Sequence, residues 1–342
     1  MVEKRKMVIK LLCFMIIGVL MIGCGSDTDN DLTSVTVEDQ IKIGISQIIE
    51  HPALDSARQG FIDGLASQGY NEGEQIDIDF QSAQGDISIA QSIAQNFVSQ
   101  NKDMIFAIAT PSAQTAFQAT NDIPILITAV TDPVKAGIVN SWEKSGTNVT
   151  GTSDNIDSIK HFNLLKTLAP ETKKVGILYN TGETNSEVQV AQAKEAAADF
   201  DLEIITASVS DINDVNQSLD FLLDRVDALY TIQDNVVASS MPLIANSANQ
   251  KNIPIIAADK AHVDAGALAT KGIDYYQLGF ETALMAIEVI NGELPSEMGI
   301  KKSNELDIVI NLDTADEIQL DISDDVKASA TLIRDGVKVE DE

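Results

Sequence analysis

The sequence predicts an α/β fold of two similar, doubly wound parallel-sheet lobes joined by a hinge, with a ligand cleft between them. Three observations carry that prediction. Short apolar runs alternate with helical patterns, the signature of βαβ units feeding a parallel sheet. The runs are continuously apolar, which suits strands covered by helices on both faces. The units also come twice in the same order and at a similar offset: 41–45 is answered by 174–178, 103–108 by 227–232, and 121–127 by 251–257. Helices are expected at 53–68, 87–100, 112–120, 156–168, 186–200 and 275–291.

The N-terminus sets the compartment. Lys4, Arg5, Lys6 and Lys10 precede an apolar run, 11–22, that is too short to span a bilayer, so 1–23 is predicted to be a secretory signal segment. It ends in Gly23-Cys24, which resembles a bacterial lipobox, with Met21 in place of the usual leucine. The resemblance implies that Cys24 is lipidated and becomes the mature N-terminus, with enough acyl chains for stable anchoring. Cys13 leaves with the signal segment and Cys24 carries the lipid, so no disulfide or thiol chemistry is expected. Residues 24–39 are polar and acidic without a core-forming period and read as a flexible tether. The protein is expected on the outer face of a bacterial cytoplasmic membrane, or in a periplasm.

The formal net charge is −29 at pH 7, from 23 basic and 52 acidic residues. Such a surface repels phosphate backbones, so nucleic acid is not an expected partner. About 300 residues follow the tether, more than one core organises, in keeping with two lobes. Segments 148–154, 268–275 and 309–314 are the expected crossovers. They divide the chain into a first lobe of 40–152 plus 272–310 and a second of 153–271 plus 311–342.

In open α/β sheets, ligands bind beyond the carboxyl ends of the strands. In the first lobe those ends hold Ser46 and Gln47, then Thr110 and Ser112 where a strand opens into a helix, then Ala129 and Thr131. A helix N-terminus favours a carboxylate, so Thr110 and Ser112 are candidate carboxylate contacts or, alternatively, helix caps. Asp132, before Pro133, reads as a turn residue. In the second lobe the corresponding positions hold Asn180 and Glu183, then Gln233, Asp234 and Asn235, then Asp259. A ligand ammonium taken out of water needs a fixed anion, supplied by Asp154, Asp234 or Asp259, with Asp259 and Asp234 favoured. Phe61 reads as core, Tyr275 as a possible apolar wall and His51 as a helix-entry residue or, alternatively, one that caps the helix or lines the cleft. Aromatic residues are few, with Trp142 the single tryptophan, which speaks against a sugar site.

Taken in order, several motifs resemble one family: Gly44-Ile45-Ser46-Gln47, His51-Pro52-Ala53-Leu54-Asp55, Thr110-Pro111-Ser112-Ala113-Gln114, Thr128-Ala129-Val130-Thr131-Asp132-Pro133, Asn148-Val149-Thr150-Gly151-Thr152-Ser153-Asp154, Asp234-Asn235 and Gly272-Ile273-Asp274-Tyr275. Over about 41–311 the chain is similar to the ABC-transporter substrate-binding proteins of the TrpX-like group, which have the type I periplasmic-binding fold. The resemblance implies hinge closure on a small molecule, best matched by an aromatic L-amino acid, for delivery to an ABC permease with its ATPase. It further implies that the loops carrying Thr110, Ser112, Ala129 and Thr131 hold the α-amino and α-carboxyl groups.

No cofactor is expected. His51, His161 and His262 are too scattered for a metal site, and no nucleophile elbow, P-loop or dinucleotide fingerprint occurs. The expected protein is therefore a monomeric binding protein and not an enzyme. A sensor lipoprotein that presents its ligand to a signalling receptor would use the same clamp, and an exported hydrolase on this frame would need a nucleophile and base that the sequence lacks.

Overall fold

The computed structural model describes residues 40–303 and 306–339. The expected signal segment, Cys24 and the tether lie outside the described residues. Among the described residues no helix is long and apolar enough to cross a membrane.

The first lobe begins β1 (Ile41–Gln47), α1 (Pro52–Ser67), β2 (Ile76–Ser82), α2 (Ile87–Ser99), β3 (Met104–Ile108), α3 (Thr110–Ala119), β4 (Ile125–Thr128) and β5 (Val149–Ser153). The second continues α4 (Ser158–Leu168), β6 (Lys174–Asn180), α5 (Thr184–Ala197), β7 (Glu203–Val209), α6 (Val215–Leu223), β8 (Ala228–Thr231), α7 (Asn235–Ser239), α8 (Met241–Asn249), β9 (Ile255–Ala257), α9 (Lys260–Asp264) and β10 (Ala269–Gly272). The chain returns to the first lobe for α10 (Tyr275–Ile290) and β11 (Ile300–Lys302). It ends in the second with β12 (Asp307–Asn311), α11 (Leu312–Glu317), α12 (Asp324–Lys327), β13 (Thr331–Arg334) and β14 (Val337–Lys338).

The first sheet runs β11-β5-β4-β3-β1-β2, with every pairing parallel. The second runs β14-β13-β12-β10-β9-β8-β6-β7, with antiparallel pairings at β10–β12 and β13–β14. The sequence repeat is a structural repeat: β4-β3-β1-β2 in one sheet matches β9-β8-β6-β7 in the other. β3 and β4 are buried along their whole length, as are β8 and β9, which explains their unbroken apolar runs.

The sheets place the crossovers differently from the sequence expectation. Ser153 closes β5 in the first sheet and Gly272 closes β10 in the second. β12 pairs with β10, so residues 307–310 belong to the second lobe and the last crossover precedes Asp307, instead of lying at 309–314. An apolar run such as Ile308-Val309-Ile310 suits either sheet, and the antiparallel pairing admits it straight from the crossover. One residue from each crossover, Ile156, Ile273 and Leu306, meets Leu278 of α10 in a small apolar cluster at the hinge.

Helix α10 belongs to the first lobe because it crosses α1 at backbone contact. A Cβ on Gly279 would sit 1.9 Å from the Ala57 carbonyl oxygen, and one on Gly60 2.0 Å from that of Tyr276. Beneath them Phe61 stacks on Phe106 at 3.8 Å between ring centroids, so Phe61 is core.

Candidate functional site

Loops at the carboxyl ends of β1, β4 and β5 face those of β6, β8 and β9 across a narrow cavity of about 20 Å³. The first lobe lines it with His51, Leu54 and Ala129, the second with Asn185, Gln233, Asp234, Asn235, Ala238, Asp259 and His262. Asp154 and Tyr275 line it from the crossovers.

In the first lobe, strained backbone presents neutral donors. Ala109 precedes α3 at φ 76°, ψ 158°, and Ala129 follows β4 at φ 55°. The Ala109 conformation is one that essentially only glycine adopts freely, and it costs about 1–3 kcal/mol. The turn it makes starts α3 with Thr110-Pro111-Ser112 buried. Thr110 Oγ1 and Ser112 Oγ have no hydrogen-bond partner, nor has the buried Ser46 Oγ after β1. The two hydroxyls at α3 therefore do not serve as caps. Thr131 is buried, and its hydroxyl supports the Asp154 carboxylate. The Asp132 carboxylate accepts from the Lys135 N–H at 3.0 Å, a turn role.

His51 sits at the entry of α1 without capping it, and burial pushes its imidazole down to about 4, opposed chiefly by the charge of Asp259. Gln47 does not reach the cavity. Its amide donates to Asp55 Oδ1 and the Ile49 carbonyl, both at 2.9 Å, and accepts from Arg58 at 2.9 Å, so it braces the loop.

The second lobe presents acceptors held in a network. Asp234 caps α7 by accepting from the Val236 and Val237 N–H groups at 3.0 Å. Its other oxygen accepts from Asn180 N at 2.6 Å and Ser186 Oγ at 2.7 Å. Four donors saturate it, so Asp234 is not the free anion expected for an ammonium. Glu183 lies behind the cavity and accepts from Asn235 Nδ2 at 2.6 Å and Asn185 Nδ2 at 3.0 Å. Burial raises its carboxyl, and the neighbouring Asp234 charge pushes the same way. Asn180 closes its own turn, accepting from Gly182 N at 2.8 Å. Glu183 and Asn180 thus position the lining residues and are not lining residues themselves.

Two carboxylates remain for a cation. Asp259 caps α9 through the His262 N–H at 3.1 Å, while its Oδ2 lies 3.6 Å from His262 Nε2. Asp154 accepts from the Tyr275 hydroxyl at 2.7 Å through Oδ2, and its buried Oδ1 has no partner. Burial raises Asp154 to about 6, with the Tyr275 and Thr131 hydroxyls opposing and the Asp259 charge reinforcing. Burial and the facing Asp154 also push the Tyr275 phenol well up, so it stays a donor. Gln233 joins the network to the crossover, its amide 3.2 Å from the Asp154 carbonyl, and Gln114 of α3 reaches Thr184 of α5 at 3.4 Å.

Of the expected residues, Ala129, Asp154, Gln233, Asp234, Asn235 and Asp259 line the cavity. Ser46, Thr110, Ser112 and Thr131 are buried at the same strand ends, whereas Gln47, Asn180 and Glu183 are braces. His51, Leu54, Asn185, Ala238, His262 and Tyr275 complete the lining. His51 and Asn185 stand at the entries of α1 and α5, the same place in the βα unit that marked Thr110, and that rule was the signal for them.

Known proteins match this architecture. The family model for the ABC transporter substrate binding protein matches residues 42–333. A tyrosine-binding protein of Clostridioides difficile is 46% identical over 316 residues, 91% of this chain and 92% of that one. The crystal structure of an ABC domain from Streptococcus pneumonia in complex with L-Trp is 34% identical, with a TM-score of 0.83, covering 86% of this chain and 99% of that one. A ligand-free, open structure of a substrate-binding protein with adhesive properties from Clostridium difficile is 47% identical over the same shares, with a TM-score of 0.66.

Proposed function

The chain belongs to the ABC transporter substrate-binding proteins, and from that premise we propose that it captures an aromatic L-amino acid by closing its two lobes and presents it to a permease coupled to an ATPase. The family acts outside the cytoplasm. One observation carries the ligand reading. His51 Nε2, Asp154 Oδ1, Asn185 Oδ1 and His262 Nε2 are buried without partners on residues that line the cavity, and Ser46 Oγ, Thr110 Oγ1 and Ser112 Oγ are buried without partners at or just past the carboxyl ends of first-lobe strands. Each such atom costs about 1–3 kcal/mol unless a ligand satisfies it. Their layout matches a zwitterion. Hydroxyls at the N-terminus of α3 suit a carboxylate, and Asp154 with Asp259 suits an ammonium.

Two carboxylates facing one cavity repel each other, and a cation between them turns that repulsion into attraction. Closure without ligand is thereby disfavoured. The conformation supports lobes drawn together: it lies nearer the tryptophan complex than the open, ligand-free structure, although sequence identity ranks those two the other way. The ligands of those two relatives, tyrosine and tryptophan, support an aromatic side chain. The same reading places the mature chain as a monomer on a Cys24 lipid anchor and assigns it no catalysis.

Calorimetric titration with L-tyrosine, L-tryptophan, L-phenylalanine, their D-enantiomers, aliphatic amino acids and monosaccharides tests this. Saturable heat is expected with aromatic L-amino acids, and its absence with all of them sinks the ligand reading.

A further inference from the structure

Asn185, in the first turn of α5, is 4% exposed and lines the cavity. Its amide nitrogen lies 2.9 Å from the Gln233 carbonyl, 3.0 Å from Glu183 Oε2 and 3.3 Å from Ser186 Oγ. Turning the amide over would set its oxygen against a carbonyl and a carboxyl oxygen, so the surroundings fix its orientation. Both neighbours are held in turn, the Gln233 carbonyl by Gln189 Nε2 at 3.0 Å and Glu183 by Asn235. Oδ1 is left as a buried acceptor without a partner.

The cavity edge carries one other orphaned atom that can only accept while ionised, Asp154 Oδ1. Charge separates their tasks. The carboxylate attracts the ligand's ammonium, whereas a neutral amide oxygen suits a neutral N–H or O–H. His51 Nε2 and His262 Nε2 take either role by tautomer, but Asn185 Oδ1 does not. The three N–H groups of a ligand ammonium are matched by the Asp154 and Asp259 carboxylates, which leaves the neutral Asn185 acceptor for a donor borne by the side chain.

Resting on the aromatic amino-acid reading, we propose that Asn185 determines specificity at the ring of the ligand, where its Oδ1 accepts a hydrogen bond from a ring-borne O–H or N–H. The site then selects tyrosine and tryptophan over phenylalanine, because phenylalanine leaves the acceptor buried and unsatisfied.

The test titrates the full chain and its Asn185→Leu variant with L-tyrosine, L-tryptophan, L-phenylalanine and 4-amino-L-phenylalanine. The wild type is expected to bind phenylalanine about tenfold or more weakly than tyrosine and tryptophan. The amino analogue, which restores a donor, is expected to group with tyrosine. In the variant the tyrosine-to-phenylalanine ratio is expected to collapse towards one. Phenylalanine binding the wild type as tightly as tyrosine overturns the proposal while leaving the aromatic reading intact. An equal loss for every ligand in the variant, with the ratio unchanged, also overturns it, and this places Asn185 at the amino-acid backbone or in the scaffold. Failure of all the aromatic ligands to bind the wild type overturns the aromatic reading itself.

Discussion

The two lobes share a strand order but meet the cavity with opposite chemistry. The first brings hydroxyls without partners on strained backbone at Ala109 and Ala129, and its one lining ionisable group, His51, is held neutral. The second brings carboxylates and amides, most of them locked to one another through Glu183, Asp234, Asn185 and Gln233. Asp154, on the crossover, adds the carboxylate with a free oxygen. A repeated unit has thus been divided into a donor face and an acceptor face. A zwitterion satisfies both only when they are brought together.

Substitutions at the two faces separate these roles. Asp154→Asn keeps a group for the Tyr275 hydroxyl but removes the charge. Truncating a buried charge pair costs about 2–5 kcal/mol, so affinity for an amino acid is expected to fall by about thirtyfold or more in calorimetric titration. On the donor face, Ser112→Ala removes one hydrogen bond to a charged group, worth about 1.5–3 kcal/mol, and a loss of at least tenfold is expected. A larger effect from Ser112→Ala than from Asp154→Asn would reverse the proposed ranking of the faces.

The pH response sharpens the contrast. Asp154 must be ionised to hold an ammonium, and in the empty protein it is raised to about 6. Binding is therefore expected at full strength above pH 7 and weaker by about tenfold at pH 5, with that limb absent in Asp154→Asn. For stability of the empty fold the sign is opposite. A carboxyl raised above its unfolded value favours the fold at low pH and loses that advantage as pH rises through about 6. His51, lowered to about 4, opposes this trend, because its contribution is present above the unfolded value near 6.5 and is lost as pH falls towards 4. Titrating binding and thermal unfolding over the same pH range distinguishes the two. The smallest effect is expected at Ala109→Gly, which relieves positive-φ strain and raises the melting temperature by about one to two degrees without tightening binding. A lower melting temperature there would show that the turn is not strained.

The sequence disclosed the repeated core strands because buried parallel strands are apolar throughout. It did not disclose β2 and β7, which lie on sheet edges with only partial burial and read as mixed segments such as Ile76-Asp77-Ile78-Asp79. The strand-end rule found Asp154, Gln233 and Asp259. It could not tell a lining residue from a brace: Gln47 and Glu183 occupy the right loops, and only their hydrogen bonds show them turned to scaffolding. From sequence Tyr275 reads as an apolar wall, because its partner, Asp154, lies across a crossover far away in the chain. Asp234 attracted a ligand role through its position, yet its carboxylate is filled by N–H groups of its own helix and its neighbours.

Three crossovers also govern how such a chain can be made. The groove on α1 around Gly60 stays uncovered until α10 has been synthesised, and the first sheet gains its β11 edge only after the body of the second lobe has emerged. The second sheet, in turn, waits for β12 to pair with β10. Neither half can mature as an early, self-sufficient folding unit, and the contacts that finish both join distant parts of the sequence, a topology that folds slowly. For a protein whose family acts outside the cytoplasm, such a topology lengthens the interval in which the chain is still unfolded.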